Sequence, residues 1–342
     1  ESRELGEPAT SSWSTDFLVR TGESREELGK WLRNRAVPWK RRRRLIQVVT
    51  DTFPCGGWLH KIGRRATAEC ELCRRSKENS EGGAQGVVPT ESIGHIQSAG
   101  CAGQSEAVTA AHNKCIRDLM GDIQVHRKKK SNLTFLTMEE EHTISTLWEQ
   151  DGCSEICSKE ELWQAAKSDE MQIQLRGGDD VSGASEQQYE ERFWRRRLDG
   201  IALDSVGKKC YLIEFKRTRD RRHSYEERAM KVARQQYKSL LSGLQAVGQQ
   251  KGWKVEQLVF VGGTCGSVNV ETFNQNLKLL EVPEGKWSRL RQRMARRLLE
   301  EQDKVLRAYF AQKYDKTPTC GGGGGDAAGP KGLAHLSRDV YA

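Results

Sequence analysis

The stretch from Phe193 to Lys216 constrains this chain more than any other: two apolar runs flank the turn-forming tetrapeptide Asp204-Ser-Val-Gly207. Runs of this kind on either side of a short Gly-containing turn predict a β-hairpin. Side chains alternate along a strand, so Tyr211, Ile213 and Phe215 share one face and Leu212, Glu214 and Lys216 the other. A carboxylate and an ammonium therefore stand side by side at the end of an apolar strand. Asp199, on the preceding run, falls at the height of Glu214 across a spacing of about 5 Å.

Two carboxylates and a lysine in this relation predict a Mg²⁺ site for phosphodiester hydrolysis, with Asp199 and Glu214 as the metal ligands and Lys216 beside them. Mg²⁺ prefers carboxylates and water, polarises a phosphate and activates a bound water, and an ammonium stabilises the developing charge. The basic residues Arg195, Arg197, Arg217, Arg219, Arg221 and Arg222 flank the site and are expected to track a phosphate backbone. The 56 Lys and Arg outnumber the 47 Asp and Glu, which favours an anionic partner, with nucleic acid the first expectation.

Asp199, fourteen intervening residues, then Glu214-x-Lys216, set in Leu-Asp-Gly-Ile-Ala and Tyr-Leu-Ile-Glu-Phe-Lys, resembles the PD-(D/E)XK (restriction-like) endonuclease pattern, with Leu198 where the family has Pro. The resemblance implies an α/β fold: a mixed central sheet flanked by helices, built as a helix, a three-stranded meander, a second helix and a further strand. The chain offers a helix end at residues 186–191, the hairpin, a helix over 224–244 and a strand over 256–261. In the family an upstream helix often adds a carboxylate, a role that would fall to Glu190 or Glu191.

A second chemistry-bearing motif lies upstream. Cys70-Glu-Leu-Cys73 has the spacing that lets both thiolates reach one zinc ion. His95 with Cys101 is the best second pair, and His112 with Cys115 competes for that place. Twenty-one residues separate Cys73 from His95, a loop whose closure cost grows only logarithmically with length. A closed four-ligand site is structural, so zinc is expected to hold a small helical module folded.

A C-x2-C, H-x5-C module followed by a restriction-like nuclease is similar to the C-terminal region of site-specific non-LTR retrotransposon reverse transcriptase polyproteins. That likeness implies nicking of target DNA, contact with RNA of the parent element and a place in a larger polyprotein. Asp179-Asp180 has no apolar strand before it and is not read as a polymerase pair. A competing reading is a catalytically inactive, zinc-containing nucleic-acid-binding module in which the hairpin only displays arginines.

The expected organisation is a linker over residues 1–25, a helical segment with the zinc module over 26–130, the nuclease domain over 131–317 and a flexible Gly-rich tail over 318–342. Two helices meeting at Pro38, an acidic helical stretch over 137–163 and an amphipathic helix after Pro283 complete the outline. The run Arg41 to Arg44 reads equally as a phosphate grip or a solvated face, and Trp39, Trp58 and Trp253 as packing residues. With no run of eighteen apolar residues, no initiator Met and no basic-then-apolar leader, we expect a nuclear fragment of a longer chain with no membrane partner, its ten Cys reduced or metal-bound.

Overall fold

A computed structural model describes residues 29, 37–49, 53–79, 87–98, 100–137, 143–150, 153–176, 185–219 and 225–314. The expected linker 1–25 and tail 318–342, residues 28 and 30–32 of the helix read before Pro38, the loop residues 80–86 and 177–184 with Asp179 and Asp180, and Arg221 and Arg222 lie outside them.

The described residues form two compact units: one comprises residues 116–263 and 267–294, the other 37–115, 264–266 and 295–314. This division differs from the boundary expected at residue 130, and the long helix after Pro283 contributes to both. The reason is its stripe: beyond Met294 it turns Phe310 onto Phe53 at a centroid distance of 5.5 Å and Asp303 onto Arg41 and Arg44. Asp303 is fully buried and takes both guanidinium groups at 3.1 and 3.0 Å, so two members of the arginine run are structural counterions. Trp39, at the head of that run, is 61% exposed, contrary to the packing role expected for it.

The smaller unit begins with helix α1 (Trp39–Val49), followed by α2 (Gly56–Lys61), α3 (Glu71–Glu78) and α4 (Ile93–Ile96). Helix α5 (Ser105–His126) enters the larger unit, where strand β1 (Thr134–Thr137), helices α6 (Ile144–Gln150), α7 (Lys159–Arg176) and α8 (Glu186–Trp194) and strands β2 (Gly200–Asp204) and β3 (Lys209–Thr218) follow. Next come α9 (Tyr225–Gln236), α10 (Lys238–Gln250), strand β4 (Lys254–Gly263), α11 (Val270–Leu279) and α12 (Trp287–Tyr314).

The larger unit is mixed α/β, with one four-stranded sheet in the order β1-β2-β3-β4. The β1, β2 and β3 neighbours are antiparallel, whereas β4 lies parallel to β3 after the α9–α10 crossover. The hairpin turn falls where the Asp-Ser-Val-Gly tetrapeptide predicts it, tied by the Gly207 N–H donating to Asp204 Oδ1 at 2.7 Å. Phe193 and Trp194, read as strand, instead close α8, whose start is fixed by a Ser185–Gln188 capping box. Strand β1 is unanticipated. Only four residues long, it borders β2, and α6 to α8 intervene in sequence before that partner is reached.

Helices cover both faces of the sheet. On one, Ile201, Leu203, Cys210, Leu212 and Val255 bury against Tyr237, Leu240 and Leu244 of the crossover and against Trp163 and Phe193. Helix α10 comes so close to α7 that a Cβ on Gly243 would meet the Cβ of Ala166 at 3.0 Å, so only glycine preserves this contact unstrained. On the other face Phe273 of α11 packs edge-on against Phe260 of β4 at 5.1 Å.

The helix expected over residues 224–244 is two helices, broken at Tyr237, where φ is −114° and ψ is 19°. No Pro or Gly marks the break in sequence. The apolar stripe nevertheless continues through it: Ala229 and Ala233 cover Val259 and Val261, and Tyr237, Leu240 and Leu244 fill the main core.

Candidate functional site

The site residues of the larger unit gather where β3 ends and β2 begins. Gly200 pairs with Ile213, so the antiparallel register sets Asp199, the residue before β2, across from Glu214. Directly opposed residues in such a ladder share a face. Asp199 is anchored there by accepting the Phe215 backbone N–H on Oδ2 at 2.6 Å.

Glu214 is 3% exposed, and the Lys216 ammonium sits 2.5 Å from its Oε1. A carboxylate this deep requires a compensating charge, which Lys216 supplies while remaining 22% exposed. Lys216 also donates to Gln236 Oε1 at 2.7 Å, and the Gln236 amide donates to the Tyr237 hydroxyl at 3.0 Å. Tyr237 in turn donates to the Arg197 carbonyl. Burial, reinforced by the Glu214 and Asp199 carboxylates, pushes the Tyr237 phenol well above its ordinary range, so it remains a protonated donor.

Gln236 and Tyr237 were not among the expected site residues. In sequence Tyr237 is one more member of an apolar stripe; Gln236, on the same face of α9 as Ala229 and Ala233, reaches Lys216 once that face packs onto the sheet. Behind them lies a further unanticipated group: Glu170, fully buried on α7, accepts from Ser239 Oγ at 2.5 Å and from Arg196, whose guanidinium also reaches the Gln236 carbonyl at 3.2 Å.

The helical carboxylate expected to join the site has a partner on its own helix. Glu190 accepts from Trp194 Nε1 at 3.2 Å, because Tyr189 and Phe193 occupy the core face of α8 and turn Glu190 onto the indole one turn on. Glu191 lies 3.6 Å from Arg195, on the exposed surface. Among the arginines read as a backbone track, Arg195 and Arg197 are exposed, and Arg217 and Arg219 are half-buried along and just past the end of β3.

In the smaller unit Cys70, Cys73, His95 and Cys101 converge, with one ligand atom from each all within 4.8 Å of one another. Local structure explains the convergence. A single antiparallel bridge between Glu69 and Thr90 closes the long loop, flanked by Cys70 N–H to Pro89 O at 2.8 Å and Glu91 N–H to Ala68 O at 2.7 Å. Cys70 caps α3 and Cys73 lies in its first turn; Ser92 caps α4 and fixes His95.

The dimensions suit a tetrahedral metal ion. Zn–S bonds of about 2.3 Å imply S···S edges of about 3.8 Å, and Cys70 Sγ lies 3.8 Å from Cys101 Sγ. Cys73 Sγ is 3.2 Å from His95 Nε2 and accepts the Ala102 N–H at 3.3 Å. These four residues could hold a zinc ion. His112 and Cys115, the competing pair, stand on α5 and do not belong to this cluster.

A buried charge network backs the cluster. Glu91, fully buried, accepts from the Gly56 N–H at 2.8 Å, Lys313 at 2.6 Å and Arg65 at 2.8 Å. Burial alone would raise its pKa, but the Lys313 ammonium, the Arg65 guanidinium and the Gly56 N–H outweigh it and hold the carboxyl below its ordinary value. A depressed carboxyl pKa gives stability that is present above about pH 4.5 and lost as pH falls through the folded-state value. Glu91→Gln should therefore lower unfolding free energy at pH 7 by about 3 kcal/mol, by stranding two cations. Urea titrations should show this loss shrinking below pH 4; a pH-independent difference contradicts the assignment. Beside this network the buried Tyr309 hydroxyl lies 3.5 Å from Cys70 Sγ, where its O–H can support a thiolate.

No protein-family model, curated protein or solved structure matches this chain. What is established is the class of structure: a mixed α/β unit with a polar cluster at one end of its sheet, and a helical unit carrying a Cys₃His cluster. No helix among the described residues is long and apolar enough to cross a membrane.

Proposed function

We propose that the chain is a metal-dependent DNA endonuclease of the PD-(D/E)XK type. The observation that carries this reading is the register that sets Asp199 opposite Glu214, with Lys216 two residues on, on the same face. Two carboxylates on adjacent extended segments supply the hard oxygen donors that Mg²⁺ favours. When bound, Mg²⁺ supplies Lewis acidity to the scissile phosphate and acidifies a water.

The protein's own groups orient the reaction. The Phe215 N–H fixes the Asp199 carboxylate, and Glu214 and Gln236 hold the Lys216 ammonium between them, the group that would place the attacking water or the reacting phosphate. Tyr237 keeps Gln236 in place and closes the inner wall of the site. The helix–β–β–β–helix–β order is compatible with the family core, with α6 to α8 inserted between its first two strands.

In this reading the Cys₃His cluster holds a structural zinc ion, and the whole acts on target DNA, with RNA of the parent element and a reverse transcriptase as partners in a larger polyprotein. The test is nicking of supercoiled plasmid with Mg²⁺. The wild type is expected to convert it to the open-circular form and Lys216→Ala to be at least about 10²-fold slower, the scale for removing one group that stabilises developing charge. Equal activity of the two proteins, or cutting without divalent metal, contradicts the proposal. Salt-sensitive DNA binding without any cleavage product would leave the silent binding module instead.

A further inference from the structure

Helix α9 presents an outer face rich in cations. Ala229 and Ala233 bury its inner stripe against Val259 and Val261, which turns Lys231 and Arg234 to solvent. With Lys238, at the start of α10, they border an open groove of about 380 Å³ that Glu227, Met230 and Gln235 complete. Three cations thus face one carboxylate over a floor provided by Met230. Lys238 lies 3.5 Å from Asp169 and remains 54% exposed, so its charge is still presented to solvent.

Two features indicate the class of occupant. Lys231 and Arg234 stand about one turn apart on α9, and Lys238 follows beyond the break at Tyr237 on the same groove. Glu227 is the one carboxylate among the groove's lining residues, so the charge of the groove complements a polyanion. A polyanion lying in it engages all three cations, whereas an anion of one or two atoms would engage only one of them.

We propose that this groove binds the phosphodiester backbone of one DNA strand. Arg234 supplies a forked pair of donors to phosphate oxygens, Lys231 and Lys238 add point charges, and the Gln235 amide contributes a neutral donor. Met230 offers apolar contact to the sugar face. Backbone binding stands independently of the endonuclease reading.

The test uses the full chain and a fluorescein-labelled duplex of about 20 base pairs, followed by anisotropy across a salt series without added divalent metal. The double variant Lys231→Gln/Arg234→Gln should bind about 10-fold or more weakly, with a log–log salt slope smaller in magnitude by about 1.8, as the loss of two phosphate contacts requires. The control Lys278→Gln/Lys286→Gln, at exposed positions outside the groove, should match the wild type. A groove variant with wild-type affinity and slope overturns the proposal, as does an equal loss in the control. Wild-type protein that fails to nick plasmid would overturn the endonuclease reading alone, because the groove is judged by binding. Wild-type nicking with an unchanged groove variant would overturn the groove alone.

Discussion

Asp199→Asn is expected to slow Mg²⁺-dependent plasmid nicking by about 10³-fold while leaving the fold in place. The two halves of this expectation come from different atoms. Asp199 Oδ2 accepts the Phe215 N–H at 2.6 Å, a bond that the asparagine carbonyl can also accept, so the start of β2 remains pinned to β3. What is lost is the negative charge opposite Glu214. A lost metal ligand removes several kcal/mol of transition-state stabilisation, and about 4 kcal/mol corresponds to 10³ in rate. Thermal melting beside the nicking assay separates these effects. Full activity with an unchanged melting temperature would leave Asp199 a purely structural residue and remove the strongest support for the nuclease reading. A large drop in melting temperature would place the residue's importance in the hairpin.

The second large effect concerns the Cys₃His cluster. Elemental analysis should find one zinc per chain, and Cys101→Ser should abolish it. Binding free energies of about 10–16 kcal/mol at structural zinc sites are folding free energy, because the site does not exist in the unfolded chain. Chelation by phenanthroline should therefore unfold the surroundings of Cys70, Cys73, His95 and Cys101 and lower far-UV helicity. The local structure makes this effect large. Helix α4 has only four residues, and a single bridge at Glu69 and Thr90 closes the loop between the two ligand pairs. Without a cation, three sulfur atoms would be held together with little but Ala102 N–H and Tyr309 to support them. Unchanged helicity on chelation, with no zinc by elemental analysis, would eliminate the metal.

The candidate site was legible in sequence where it depends on local periodicity. Glu214 and Lys216 share a face because strands alternate with period two, and the Asp-Ser-Val-Gly turn sets the register that brings Asp199 level with Glu214. Cys70 and Cys73 were equally legible, since a two-residue spacer at a helix start places both thiols on one side. Glu190 illustrates the limit. Its position before the hairpin was right for a contributing carboxylate, but Tyr189 and Phe193 claim the core face of α8 and rotate it toward Trp194. Gln236 shows the converse: it falls three residues after Ala233 and seven after Ala229, on the face of α9 that packs onto the sheet, but only the tertiary packing of α9 brings it to Lys216.

By itself, then, the sequence determined whatever follows from backbone periodicity over a few residues: the hairpin, its turn, the faces of Glu214 and Lys216, and the thiol pair at α3. Tertiary structure alone decided the distant partners: β1 beside β2, Asp303 for Arg41 and Arg44, and Glu170 for Arg196; it also brought together His95 and Cys101, the pair the sequence already favoured over His112 and Cys115. Each of these is a choice among residues far apart in the chain. Such choices are settled by which apolar stripes bury against one another and which buried charges must find a counterion, and neither is encoded in the spacing of any one segment.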